Sequence, residues 1–429
     1  MVSGHRVGGA RAVARCDALG VMPYSDTPDG LFRGYLTPAY AAAQEAIAGW
    51  MIEAGMTVRL DSAANLIGRY EGGLDSPALL IGSHIDSVRD AGRYDGPLGV
   101  MLGIEAVATL DVADRRPDFP IEVIAFGDEE GSRFPASMLT SRAVAGTLDP
   151  GALAVTDRDG VTLDDALLDY RRSVAGWQSK RGAEMAFGGI EGFGSARRAA
   201  PLAYLEAHIE QGPVLESEGL ALGVVTGIAA QLRYQIDVRG VAGHAGTTTM
   251  ELRRDALTAA AEAVLAVERI ARRGAGDLVA TVGRLSAAPG AANVIPGQVD
   301  FSIDIRSGDQ GVRNEAATAI LAELDAIAAR RCVSISAERV QDLAASPCDP
   351  RLTVWLADAV AAVGLPVRRL VSGAGHDAMV MAALCPTAML FIRCAGGISH
   401  HPAEQVDPAD ADAALAAMLG FIDRLGENV

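Results

Sequence analysis

The stretch from Leu79 to Gly99, LLIGSHIDSVRDAGRYDGPLG, constrains the fold of this chain more than any other. The apolar run from Ala78 to Gly82 reads as a short buried strand, and it ends at Ser83-His84-Ile85-Asp86. A glycine-rich loop follows, with a second acid at Asp95 inside Tyr94-Asp95-Gly96-Pro97. In open α/β sheets ligands collect at the carboxyl ends of strands, because side chains there point into a crevice. His84 and Asp86 are two apart and face the same way. Asp86 is therefore placed to orient His84 through its second ring nitrogen, the usual support of a metal-bound imidazole. An H-x-D pair by itself is commonplace and acquires meaning only beside the rest of the chain.

A chain of 429 residues is too long for one ordinary core, and two domains are expected. Residues 39–54 carry apolar positions at helical spacing and stop at Gly55. Met56 to Tyr70 alternates as a pair of half-buried strands, and Val100 to Leu110 is a helix pattern behind the Asp95 loop. IEVIAF, Ile121 to Phe126, is another buried strand, ending in Gly127-Asp128-Glu129-Glu130-Gly131. Helix and strand alternate in this way to about His208, the pattern of a mixed, mainly parallel sheet covered by helices. Around Ala221 the character changes. An alternating strand (Leu232 to Gly243), an alanine-rich helix (Arg253 to Arg273), the strands LVATVGRLSAAPG and QVDFSIDIRS, and a helix from Val312 to Arg330 form a ferredoxin-like α+β unit. The α/β pattern then resumes, with a strand at Ala388 to Arg393. The expected division is 1–220 and 336–429 for the larger domain, with 221–335 inserted.

A net charge of −17 argues against nucleic acid, which needs a basic surface. No 18-residue apolar span is present, so no membrane crossing is expected. The start, MVSGHRVGGARAVARCDALG, is basic but has no continuous apolar core, which reads as a cytoplasmic protein. Cys16, Cys332, Cys348, Cys385 and Cys394 are odd in number and without a CxxC, and read as free thiols.

Of seven histidines (His5, His84, His208, His244, His376, His400 and His401), six lie in glycine- or acid-rich segments beside predicted strands. Any one of them is unremarkable as a structural residue; six so placed are not. His208 stands in EAHIEQG at a strand end, and His400 in GGISHHP past the strand ending at Arg393. With Asp95 and the Glu129-Glu130 pair, separate strand ends offer imidazoles and carboxylates without thiolate, which suits zinc, manganese or cobalt. A bridging Asp with three ligands on each side would hold two ions about 3.5–4 Å apart. Adjacent side chains at a strand end diverge, so one of Glu129 and Glu130 can bind metal while its neighbour takes a proton from water. A solvated acidic turn is the plain alternative for an isolated DEE.

The segments GSHIDS, RYDGPLG, GDEEGSRF, EAHIEQGPVLE, GHAGTTTM, NVIPG, DIRS, SGAGHDAM and GISHHPAE resemble, in order from residue 79 to 404, one branch of a known family. It is the amidase/hydantoinase-carbamoylase branch of the M20 metallopeptidase-like amidohydrolases. The resemblance implies a di-metal aminopeptidase-like catalytic domain, an inserted ferredoxin-like lid that also makes a homodimer, and hydrolysis of a ureido group beside a carboxylate. It implies two divalent ions per subunit, Mn2+ or Zn2+, with Co2+ and Ni2+ as further candidates. His84, His208 and His400 match terminal ligands, Asp95 the bridging carboxylate and Glu130 the ligand completing one metal. Glu129 matches the general base, Asp86 the support of His84, and Gln211 a substrate or metal-water contact. In the inserted domain His244 matches a histidine that stabilises the oxyanion, in related enzymes from the partner subunit. Asn293 and Arg306 match a clamp on the substrate carboxylate, for which Arg offers a planar fork; a surface ion pair is the plain alternative for Arg306. Gly375 and His376 match residues lining the substrate end. His401 stands where the family often has Asn, and Thr249 where many relatives have Pro.

Within that branch FIRCAGGISHHPAE resembles the allantoate enzymes more than the carbamoylases. Release of ammonia and carbon dioxide from allantoate is therefore the first expectation. N-carbamoyl-L-amino acids come second and β-ureido acids third. A dipeptidase of the same fold and a non-catalytic binding protein are the readings from other classes. The first is disfavoured by the Asn293/Arg306 pair and GHAGTT, the second by the presence of Glu129 and every candidate ligand.

Overall fold

A computed structural model describes residues 6–182, 184–185, 190–196 and 199–428; His5 lies outside them. The chain forms two compact units, one of Met1–Thr226, Cys348–Leu370 and His376–Val429, the other of Gly227–Pro347 and Val371–Gly375.

The first unit is built on a mixed sheet. Its centre is parallel, in the order Thr387–Ile392, Ala203–Ile209, Leu79–His84, Ile121–Phe126. These strands are buried along their whole length, as both-face coverage of a parallel sheet requires. The sheet is parallel at this centre and antiparallel on its flanks: Leu66–Tyr70 and Thr57–Leu60 continue it on one side, Leu222–Ile228 on the other. Parallel neighbours end at one edge, and the register that sets Ile81 opposite Leu205 carries His84 and His208 to the same end. Their rings lie 5.7 Å apart.

The helix Pro97–Val112 starts with Pro at its first position, where the missing N–H costs nothing. It is buried almost all round, and its start presses on the His208 strand. A Cβ on Gly99 would lie 2.1 Å from the Ala207 carbonyl oxygen. That close approach fixes the Asp95 loop just before the helix.

The second unit is a βαββαβ fold. Its antiparallel sheet runs Val279–Thr281, Gln298–Ser307, Ala230–Arg239, Ser334–Leu343, with Leu285–Ala288 also on Gln298–Ser307. Gln298–Ser307 alternates strictly between buried and half-buried residues. The helix Ala256–Arg273 turns Ala256, Ala259, Ala260, Ala263 and Ala266 into the core with Phe301, Ile303 and Ile236. It begins at Ala256, three residues later than expected, because Asp255 caps it by accepting from the amides of Leu257 and Thr258.

Both expected boundaries move. Leu222–Ile228 pairs with Thr387–Ile392 and so belongs largely to the first sheet. Residue 335 falls inside Ser334–Leu343, a strand of the second unit, which runs on to Pro347. That strand lies at a sheet edge and is mostly exposed, so it carries little burial periodicity to read.

Candidate metal centre

The carboxyl ends of the central strands converge on Asp95. Ligand atoms of His84, Asp95 and His208 lie within 4.8 Å of one another, as do those of Asp95, Glu130 and His400, and those of His84, Glu129 and Glu130. His208 Nε2 is 3.1 Å and His84 Nε2 4.0 Å from Asp95 Oδ1, while His400 Nε2 is 3.0 Å from Asp95 Oδ2 and 3.4 Å from Glu130 Oε1. Each oxygen of Asp95 thus faces a different set of neighbours.

Two rings are pre-set to offer Nε2. His208 Nδ1 is 2.9 Å from the Ile209 carbonyl oxygen and His84 Nδ1 is 3.1 Å from that of Asp86. A proton on Nδ1 donated to these carbonyls leaves Nε2 bare toward Asp95. The Asp86 carboxylate is farther from His84, at 3.6 Å, and it accepts instead from the amides of Glu129 and Glu130. It ties the two acid-bearing strand ends together. Gly96 is needed beneath His84: its φ is +85°, and a Cβ there would lie 2.5 Å from the ring. Asp128, Gln211 and His400 adopt left-handed backbone conformations without being glycine, a cost that collects at functional sites.

The donor set fits cations. Asp95 Oδ1 and His208 Nε2 are buried and find no hydrogen-bond partner, although they lie 3.1 Å apart. Asp86, Asp95, Asp128, Glu206, Asp377 and Glu404 are among the carboxylates buried in this unit. Burying that much negative charge without compensation is costly. Burial accordingly pushes Glu130 up to about 7 and Asp377 up to about 8, and holds Glu129 well above the carboxylate range. The hydrogen bond to Asp95 holds His400 up to about 9 against partial burial. Burial works against ionised Asp95, but the imidazoles of His208, His400 and His84 keep its carboxyl well below the usual range.

Gln211 stands in this cluster: its Nε2 donates to Asp95 Oδ2 (2.9 Å) and to Ser399 Oγ (3.1 Å), and Ser399 Oγ donates to Asp95 Oδ2 (2.8 Å). Of the adjacent histidines, His400 faces Asp95, whereas His401 Nδ1 accepts from the Ala403 amide in its own turn. His376 lies in the first unit, beside His208. It is 1 % exposed and sits edge-on behind His208, ring centroids 4.4 Å apart, because it leads into the buried helix Asp377–Met381. Burial and the neighbouring His208 hold its pKa well below the imidazole range.

The second unit holds His244, Asn293, Arg306 and Gly375. A two-stranded ladder sets Val294 opposite His244, and the Ala245 amide donates to the Asn293 carbonyl, so His244 and Asn293 are neighbours. Both are exposed. Arg306 is tied down: Nε and Nη2 donate to Asp304 at 2.8 and 2.9 Å, and Nη1 to the Gly373 carbonyl at 2.5 Å. The ion pair that sequence offered as the plain alternative is present.

Two acids escaped sequence reasoning. Glu206 accepts from Ser83 Oγ, Tyr204 OH and the Ala378 amide, joining three strand and loop ends around His208. Glu404 accepts from the amides of Tyr94 and Asp95. Glu206 stands two residues before His208 and Glu404 four after His400, and that local spacing was the signal available.

Fold and cluster define an α/β protein with a carboxylate–imidazole site at the carboxyl ends of its central strands. Residues 80–424 match Peptidase family M20/M25/M40. An allantoate deiminase of Arabidopsis thaliana is 40% identical over 96% of this chain and 81% of its own. An N-carbamoyl-L-amino acid amidohydrolase of Geobacillus stearothermophilus is 42% identical over 87% of this chain and 88% of its own. The crystal structure of an amidase of the hydantoinase/carbamoylase family from Burkholderia multivorans superposes with a TM-score of 0.87 at 33% identity, over 98% of each chain. This chain belongs to the M20/M25/M40 family and is a hydrolase of C–N bonds.

Proposed function

We propose that this protein hydrolyses the ureido group of allantoate with the help of two divalent cations, manganese or zinc. The observation that carries the reading is the convergence of His84, His208, His400 and Glu130 on the two oxygens of Asp95, with Glu129 alongside. The allantoate deiminase among its relatives supports the substrate. The comparable identity to an N-carbamoyl-L-amino acid amidohydrolase supports a second substrate class for the same chemistry.

His84, Asp95 and His208 would hold one ion, and Asp95, Glu130 and His400 the other. When bound, the cations polarise the ureido carbonyl and make water acidic enough to lose a proton near neutral pH. Glu129 takes that proton as water adds to the carbonyl carbon, and hands it to the departing nitrogen as the C–N bond breaks. The carbamate released falls apart to ammonia and carbon dioxide. His244 donates a hydrogen bond to the developing oxyanion. Arg306, held by Asp304 and Gly373, keeps two of its five N–H donors for a carboxylate, with Asn293 beside His244 as a second contact. Assembly as a homodimer through the second unit belongs to this reading.

The test is ammonia release after stripping and reloading with manganese or zinc, on allantoate beside N-carbamoyl-L-amino acids and dipeptides. Turnover of allantoate alone is expected. Broad turnover of carbamoyl amino acids would move the substrate to the second class, and fast dipeptide cleavage would sink the ureido reading.

Two further results follow. His244→Ala is expected to keep its metal and lose about 10²–10³ in turnover, the usual effect of removing one oxyanion donor. Wild-type rates would remove the role. Metal binding should also release protons. His400 (about 9) and Glu130 (about 7) must both be unprotonated to ligate, so at pH 7 an incoming ion displaces protons from them. The sign is fixed: metal affinity rises with pH over the range in which these ligands lose their protons. Proton release measured in weakly buffered solution should shrink over the same range, and release that grows with pH would contradict the assignment.

A further inference from the structure

Glu404 is 3 % exposed, and nothing in the mechanism above uses it. Its Oε1 accepts the backbone N–H of Tyr94 at 2.7 Å and of Asp95 at 3.1 Å, across some three hundred residues of sequence. Its slot is built to measure. A Cβ on Gly92 would fall 2.1 Å from Cδ of Glu404 and 2.3 Å from each oxygen. The loop that carries it is the one that carries His400. The Glu404 amide donates to the His401 carbonyl, closing a tight turn between the two. One loop therefore holds Asp95 twice, at its side chain through His400 and at its backbone through Glu404.

We propose that Glu404 is the positioning residue of the metal centre, fixing the backbone of Asp95 so that both carboxylate oxygens stay aimed at their separate ligand sets. The inference rests on the two-cation reading above. Two amides fixed by one oxygen set where the Cα–Cβ bond of Asp95 points. A carboxylate whose two oxygens face different ligand sets, and which would be shared by both ions, tolerates little error in that direction.

The experiment compares Glu404→Gln with Glu404→Asp by manganese titration of the stripped full chain, monitored by calorimetry, with circular dichroism of the metal-free forms alongside. Gln keeps an oxygen at the same reach but loses the charge; Asp keeps the charge but withdraws the oxygen by one methylene. Glu404→Asp is expected to weaken manganese binding about 10–100-fold, the usual cost of losing a group that orients a ligand. Glu404→Gln should stay near wild type, and both metal-free variants should keep the wild-type spectrum. Equal affinity in all three proteins, or the reverse order between the two variants, overturns the proposal while leaving the metal centre standing. A wild-type chain that takes up no manganese overturns the two-cation reading and this inference with it.

Discussion

Replacing Asp95 by Asn is expected to cost the protein its paired metal ions and all measurable turnover. Asp95 is the residue on which two of the ligand groups meet, one around each oxygen. Asn keeps the shape but has one acceptor oxygen, and its NH2 group turns hydrogens toward the other set. Either His208 and His84, or His400 and Glu130, would then face a donor. Ion content measured on stripped and reloaded protein should fall to no more than a single ion per chain. The metal-free fold should survive, because the loop is still held by the Glu404 bonds to its backbone. A variant that still bound a full pair and turned over would remove Asp95 from the centre of the site.

Glu129→Gln is expected to separate binding from chemistry. Its backbone amide is held by Asp86, and its carboxylate lies near His84 and Glu130 at the end of a buried strand. Gln fills the same volume, cannot take a proton, and should leave metal content unchanged. Loss of a positioned general base costs about 10²–10⁴ in rate. The fall should therefore appear in kcat, with KM little altered. If Glu129→Gln lost metal instead, Glu129 would be a ligand and the base would have to be sought elsewhere.

Much of the site was legible because its residues sit where buried runs stop. LLIGSH, IEVIAF and AYLEAHI are apolar enough to be strands covered on both faces, and the polar residues that end them have one edge of the sheet in common. Only the direction of the strands had to be assumed, and helices between strands supply it. Strict alternation made Gln298–Ser307 equally plain. Where a strand is exposed at an edge, as Ser334–Leu343 is, the same reasoning has nothing to work on, and the boundary at 335 missed.

The sequence by itself determined which strands are central, which histidines and acids end them, and that a second α+β unit interrupts the first. Those are consequences of local burial, and local burial is written as periodicity. The tertiary structure alone decided which partner each polar group takes. It turned His400 to Asp95 and His401 to its own loop, gave the Arg306 fork to Asp304, and hid His376 behind His208. It also brought Glu404 to the backbone of Asp95. The physical reason is that a hydrogen bond is chosen by distance and angle between groups that packing brings together. Residues hundreds of positions apart leave no periodic trace of such a choice.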